Sequence, residues 1–286
     1  MRPLKDFKNF SLGDDSFFEP SSERIPRPIL DLIRDIWLLN RVSNSDDMLE
    51  AQERVARFYK TYLRGTPTVH LINAGAEYNH WIVPKRWRVK DYWLKDDTGR
   101  IVDDLNSHPL ALCPFSHSTN EVITLEELRG KAIVHPDQPD AYTYFGHRMY
   151  RHWVPGWNVS LPGRMLDALL PGNYEVHIES EFTDDPMPVL EYTLAGRSEK
   201  TIVLIGHICH PGQVNDSLSG CVALIQALQR LEEVFPETLY TYRILLVPEV
   251  VGSVAYLGEH PDLIATMSFA MCANMSRHDA PLVGGR

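Results

Sequence analysis

No stretch of this chain is apolar for anything near the roughly 20 residues that cross a bilayer. Its first residues, MRPLKDFKNFSLGDD, contain no apolar signal core. No membrane partner is therefore expected. Cysteine is sparse: Cys113, Cys209, Cys221 and Cys272 lie far apart and form no CxxC pair. That argues against a disulfide framework and against a cysteine zinc knuckle, and makes a reducing, cytoplasmic setting the expectation. Positive charge is also short, with 28 Lys+Arg against 38 Asp+Glu and a net charge of −10, so a nucleic-acid partner is not expected. There is no internal repeat and no low-complexity run, and neither Ser217 nor Ser219 sits in a GxSxG elbow. A serine nucleophile is disfavoured.

What is present suits a globular domain with a full core: 286 residues, 44% hydrophobic and 23% charged. Residues 1–27 are polar and read as an irregular lead-in. Over 28–66, Ile29, Leu32, Ile33, Ile36 and Trp37 fall at helical steps. A second helix is expected from a cap at Ser45, with Met48, Val55, Phe58, Tyr59 and Tyr62 on its apolar stripe. Over 67–141 the pattern changes to short apolar or alternating runs separated by turns such as Asp96-Asp97-Thr98-Gly99, which reads as a compact β-rich inserted unit. Within it, 123–129 looks like a short helix and 131–135 like a strand. Residues 142–286 return to the main unit. There, 174–182 alternates like a strand, and 189–194 like its hairpin partner across Asp184-Asp185-Pro186. Residues 142–157 are rich in aromatic and basic groups. They read as a packed junction between units or as the wall of a substrate cleft, for which Tyr144, His147 and Trp153 are the candidates.

The chemistry concentrates in one stretch, TIVLIGHICHPGQVNDSLSGCVALIQALQRL, residues 201–231. An apolar run ends at Gly206. His207, Cys209, His210, Asn215 and Asp216 follow in a turn, and Cys221, Leu224, Ile225, Leu228 and Leu231 then mark one face of a helix. A second buried run, 242–247, ends in Pro248-Glu249. If the two runs are adjacent parallel strands, Asp216 and Glu249 share one sheet edge, where ligands of open α/β sheets bind. Two imidazoles and two carboxylates suit a borderline-soft cation such as zinc, whose bound water becomes acidic enough to attack a carbonyl. The same residues have a plainer use: the histidines could bond to backbone groups and Asp216 could cap the helix. Cys209 is a further possible ligand, or simply a packed thiol.

The motifs HICHPGQVNDSLSG and PEVVGSVAYL resemble the aminopeptidase-like DUF4910/DUF2172 group, related to the M28 zinc aminopeptidases. NRVSNSDDMLE, HWIVPKRWRVKDYWLKDDTGRIVDDLNSHPL and the 142–157 region fall in the family's order, so the resemblance covers roughly residues 28–272. It implies an α/β fold: a zinc-peptidase-like mixed or parallel sheet with flanking helices, interrupted by a small β-rich inserted domain. It implies zinc as cofactor, one or two ions with one favoured by the residues present, and hydrolysis of an amide bond in a small peptide or peptide-like substrate. His207 matches the first metal-binding His and Asp216 the bridging Asp, while Glu249 stands where M28 enzymes carry a base and a ligand. Within the closer group His210 is the more characteristic histidine, so the resemblance implies a metal held by His207 or His210 with Asp216, and Glu249 as catalytic base or as the group that completes the metal set. Three positions depart from the M28 pattern: Cys209 and Asn274 replace aspartates, and the last His ligand would fall beyond Arg286, leaving His278 and Asp279 as late candidates. A binding module that has lost catalysis, or a piece of a longer enzyme, are the alternatives, and self-association stays open.

Overall fold

The computed structural model describes residues 25–275. Most of the lead-in, and the late candidates His278 and Asp279, lie outside the described residues. The chain opens with α1 (Arg27–Ile36) and α2 (Asp46–Tyr62). Ser45 caps α2 as expected, its hydroxyl accepting from the Met48 N–H at 3.0 Å, an interaction that typically contributes about 1 kcal/mol. There follow β1 (Thr66–Ile72), the small hairpin β2 (Glu77–Tyr78) and β3 (Trp81–Ile82), β4 (Arg86–Asp96), β5 (Ile101–Asp104), β6 (Thr119–Thr124) and α3 (Leu125–Lys131). Next come β7 (Ala132–Ile133), one tight turn at His147–Arg151, β8 (Val159–Ser160), α4 (Gly163–Asp167), β9 (Asn173–Thr183) and β10 (Met187–Leu194). The last elements are β11 (Ser198–His207), α5 (Ser219–Val234), β12 (Tyr240–Val247), α6 (Val251–Glu259), α7 (Pro261–Thr266) and β13 (Met267–Cys272).

The large sheet has the order β1-β10-β12-β11-β13, and it is mixed. β11 runs parallel to β12 and β13, whereas β10 is antiparallel to β1 and β12. Because β10 is buried on both faces, its sequence PVLEY lacks a clean alternation. Leu190, Tyr192 and Leu194 face α1, α2 and α5, sharing a core with Ile29, Tyr59, Leu224 and Ile244. Val189 faces the other way with Val203, Leu245 and Tyr256, under α6.

The small sheet, β5-β4-β9-β6, has its own core of Trp87, Tyr92, Leu94, Phe115, Trp157 and Val176. The division between the two sheets falls elsewhere than the composition break suggests. β1 belongs to the large sheet although it runs across the break at Pro67, and β9 belongs to the small one although it lies beyond 141. The expected hairpin between 174–182 and 189–194 does not form. β9 pairs with β4 and β6, while β10 pairs with β1 and β12. Alternation marks a strand but says nothing of its partner, and here Asp184-Asp185-Pro186 carries the chain from one sheet to the other. Asn44, fully buried, fastens both crossings: its amide donates to the carbonyls of Pro84 at 2.9 Å and Asp185 at 3.0 Å.

Candidate metal centre

The candidate residues meet where β11 and β12 end side by side, with His207 paired to Val247 in the ladder. That juxtaposition is the parallel arrangement expected of the two apolar runs. His207 is the last residue of β11, and the chain then turns through Cys209 and His210 to Gly212. Gly212 sits at φ +67°, a left-handed conformation that favours glycine. Its N–H donates to the Trp37 carbonyl at 2.9 Å, tying the turn to the end of α1. Gly220, at the start of α5, presses on the backbone of Ala273 and Asn274, where an added Cβ would come within 2.4 Å of carbonyl oxygen. That close approach brings Asn274 to the site.

His207 and His210 are both buried. Their Nδ1 atoms lie 3.0 Å apart and their rings meet edge to face at 4.8 Å. The two Nε2 atoms therefore serve different neighbours. His207 Nε2 lies 2.5 Å from Asn274 Oδ1 and 3.3 Å from Asp216 Oδ1. His210 Nε2 lies 3.6 Å from Glu249 Oε2. Burial, with the proximity of His207, pulls the pKa of His210 down to about 4. Its imidazole is uncharged at neutral pH and offers a nitrogen lone pair.

Whether these residues suit a cation can be judged from one atom. Asp216 Oδ1 is buried and accepts no hydrogen bond, its approach to His207 Nε2 being an ion-pair contact without hydrogen-bond geometry. A buried carboxylate oxygen left open is costly unless something positive completes it. The surrounding donors are imidazole nitrogen and carboxyl or amide oxygen, the mixed set that zinc accepts. The residues fit the metal that the sequence implies.

Cys209 is fully buried, and one donor atom each from His207, Cys209 and His210 lie within 4.8 Å of one another. Burial pushes its thiol up to about 12, and its sulfur accepts the Glu249 N–H at 3.1 Å. The sulfur thus ties the β11 turn to the β12 turn. Glu249 precedes Val250, which stands at φ +58°, a conformation rarely taken by a β-branched residue. The Tyr150 hydroxyl donates to Glu249 Oε2 at 2.7 Å, and burial together with that bond raises the phenol's pKa, keeping it protonated.

Of the three cleft-wall candidates, Tyr144 reaches the centre, its ring packing edge-on to His210 at 4.7 Å. His147 packs on Phe145, and Trp153 is 55% exposed beside His152; among the described residues no hydrogen bond, ion pair or ring contact joins either to the histidine pair. Tyr150, in the same aromatic stretch, takes the place expected of them, and nothing in its spacing from Tyr144, His147 and Trp153 distinguishes it. A cleft of about 510 Å³ opens beside the centre, lined by Tyr142, Tyr144, Gly212 and Gln213 on one side and by His108 and Gln138 of the inserted unit on the other. His108 lies flat on Tyr142 at 4.8 Å.

Among known proteins, a Clostridium acetobutylicum protein provisionally named for polysaccharide biosynthesis, with an aminopeptidase-like domain, is 31% identical over 209 residues. That match covers 72% of this chain and 46% of the relative. A crystal structure of a provisionally assigned peptidase from Clostridium acetobutylicum superposes with a TM-score of 0.75 at 26% identity, over 86% of this chain and 55% of that one. The chain thus spans about half the length of these relatives. BSAP, a zinc aminopeptidase from Bacillus subtilis, superposes with a TM-score of 0.55 at 12% identity, over 88% of this chain and 70% of that one, a likeness of fold alone. The family described as a domain of unknown function, DUF4910, matches residues 30–280, and the chain belongs to that family of aminopeptidase-like proteins.

Proposed function

We propose that this chain carries the centre of a zinc-dependent, aminopeptidase-like hydrolase that cleaves an amide bond in a small peptide or peptide-like substrate. The observation that carries the reading is the buried Asp216 Oδ1, which accepts no hydrogen bond beside His207 Nε2, with His210 and Glu249 completing the group. His207, His210 and Asp216 would hold the metal, and Glu249 would act as base or complete the set. Zinc, when bound, acidifies a water and polarises a carbonyl.

The chain's own groups supply the rest. Glu249 stands within reach of the histidine pair and can take a proton from the attacking water and return it to the departing amine. Tyr150 donates to Glu249 Oε2, the same oxygen that lies 3.6 Å from His210 Nε2, and so fixes the carboxylate that would make that transfer. The Cys209 sulfur fixes the backbone of Glu249 from behind. Tyr144 shields His210 and joins the centre to the 510 Å³ cleft, where a substrate side chain has room.

A second reading has one observation in its favour. Asn274 stands where the resemblance implies an aspartate ligand, and its neutral amide bonds to His207 Nε2. A module that binds without turnover would have that replacement. Release of a chromogenic amine from aminoacyl anilides separates the two: the hydrolase requires turnover that a chelator stops and added zinc restores. Binding of product peptides with no turnover at any zinc level would support the module instead.

A further inference from the structure

The segment between α1 and α2, Asn40-Arg41-Val42-Ser43-Asn44-Ser45, is polar by sequence yet buried by structure, with Arg41, Ser43 and Asn44 fully covered. Buried polar groups need partners. Asn44 fastens the two sheet crossings, Ser45 caps α2 and the Ser43 hydroxyl has no hydrogen-bond partner; Arg41 is the segment's one charge. Among the described residues no Asp or Glu pairs with its guanidinium, and burial lowers its pKa to about 10, so it remains charged at neutral pH.

Backbone carbonyls surround that charge instead. Arg41 Nε donates to the Ile36 carbonyl at 2.9 Å, and Nη2 reaches the Trp37 carbonyl at 3.4 Å, both at the end of α1, where carbonyls lack helical partners. On its other side Nη2 donates to the His210 carbonyl at 2.7 Å and Nη1 to the Ile208 carbonyl. Those two carbonyls bracket Cys209, in the turn that carries both imidazoles. One rigid fork therefore bridges two segments 167 residues apart in sequence.

We propose that Arg41 is a positioning residue of the candidate centre: it clamps the 207–212 turn to the end of α1 and so holds His207 and His210 toward Asp216 and Glu249. The consequence for metal rests on the zinc reading above, whereas the clamp itself does not. Lysine carries a single ammonium point and cannot reproduce the planar fork, so even Arg41→Lys loses the geometry. Groups that orient metal ligands from behind typically change affinity 10–100-fold when removed.

The test measures zinc affinity by competition with a chromophoric chelator for the wild type, Arg41→Lys, Arg41→Gln and Ser45→Ala. Hydrogen exchange at the amides of 208–213 is followed in the metal-free proteins. Ser45→Ala serves as a stability control, since it loosens α2 without touching the turn. Expected are a 10–100-fold weaker zinc affinity and faster exchange at Gly212 in both Arg41 variants, with Ser45→Ala within twofold of wild type in both readouts. Arg41 variants that melt earlier but keep wild-type zinc affinity and exchange would overturn the proposal. A wild type that binds no zinc would defeat the metal reading alone, and the exchange comparison would still decide the clamp. Should neither Arg41 variant fold, the metal-free wild type labelled with ¹⁵N-arginine answers: the Arg41 Nη protons bonded to the Ile208 and His210 carbonyls must exchange slowly with water, and Nη protons that exchange as fast as those of an exposed arginine contradict the clamp.

Discussion

Two buried clusters of acid and imidazole lie on the same large sheet, and they are completed in different ways. Around Glu191 on β10, each carboxylate oxygen has protein partners. Oε1 receives Arg243 Nη1 at 2.8 Å and the Thr193 hydroxyl, while Oε2 receives His70 Nε2 at 2.9 Å and the Tyr256 hydroxyl. Burial opposes the charge, but these hydrogen bonds from His70, Thr193 and Tyr256, with the Arg243 charge, outweigh it and bring the Glu191 pKa down to about 2. At the ends of β11 and β12 the same residue types are left short, with Asp216 Oδ1 unpaired and two imidazole Nδ1 atoms facing one another. In the first cluster the fold itself completes both carboxylate oxygens, although Arg243 Nε is left without a hydrogen-bond partner. In the second, a carboxylate oxygen and two imidazole Nδ1 atoms are left without such partners, the pattern that marks a candidate site rather than a strut.

That contrast can be broken in order of expected effect. Glu249→Gln removes the proton carrier and should lower turnover by about 10²–10⁴-fold while leaving the melting temperature near wild type, read from initial rates on an aminoacyl anilide. Glu191→Ala should act in the opposite sense. It strands Arg243 without its carboxylate, costing about 3–5 kcal/mol of stability in urea unfolding, with zinc content unchanged.

Acid should separate the clusters as well. A folded pKa near 2 against an ordinary 4.5 means Glu191 stabilises the native state above about pH 4.5, and that contribution fades as pH falls toward 2. The loss amounts to about 3 kcal/mol over that window, and Glu191→Gln should flatten it. Smallest of all, Asp216→Asn relieves an uncompensated buried oxygen. It should leave the metal-free protein as stable as wild type or more so by up to about 1 kcal/mol, while abolishing zinc binding. A large destabilisation would mean that Asp216 is a strut like Glu191.

Much of this was legible in the sequence, for physical reasons that also mark its limit. The run ending at Gly206, the turn from His207 to Asp216 and the stripe from Cys221 to Leu231 are local, and they form β11, its turn and α5. Ser45 announced α2 because a cap is a short-range hydrogen bond. Partnership between distant segments was not legible. Nothing in 174–182 told that β9 would pair with β4 and β6 rather than with β10. Tyr150 looked no different from Tyr144 until folding set its hydroxyl on Glu249. Arg41 carries no signal in the sequence beyond its place in NRVSNSDDMLE, because its partners are backbone carbonyls that no side-chain pattern encodes.

The central claim is that the open cluster takes a metal, and elemental analysis of the purified protein tests it most directly, after incubation with zinc and removal of the excess. The account predicts about one zinc per chain in the wild type, lost in Asp216→Ala and in His207→Ala or His210→Ala, and retained in Glu191→Gln. Wild-type protein that emerges without zinc, or that keeps it when Asp216 is gone, would contradict it.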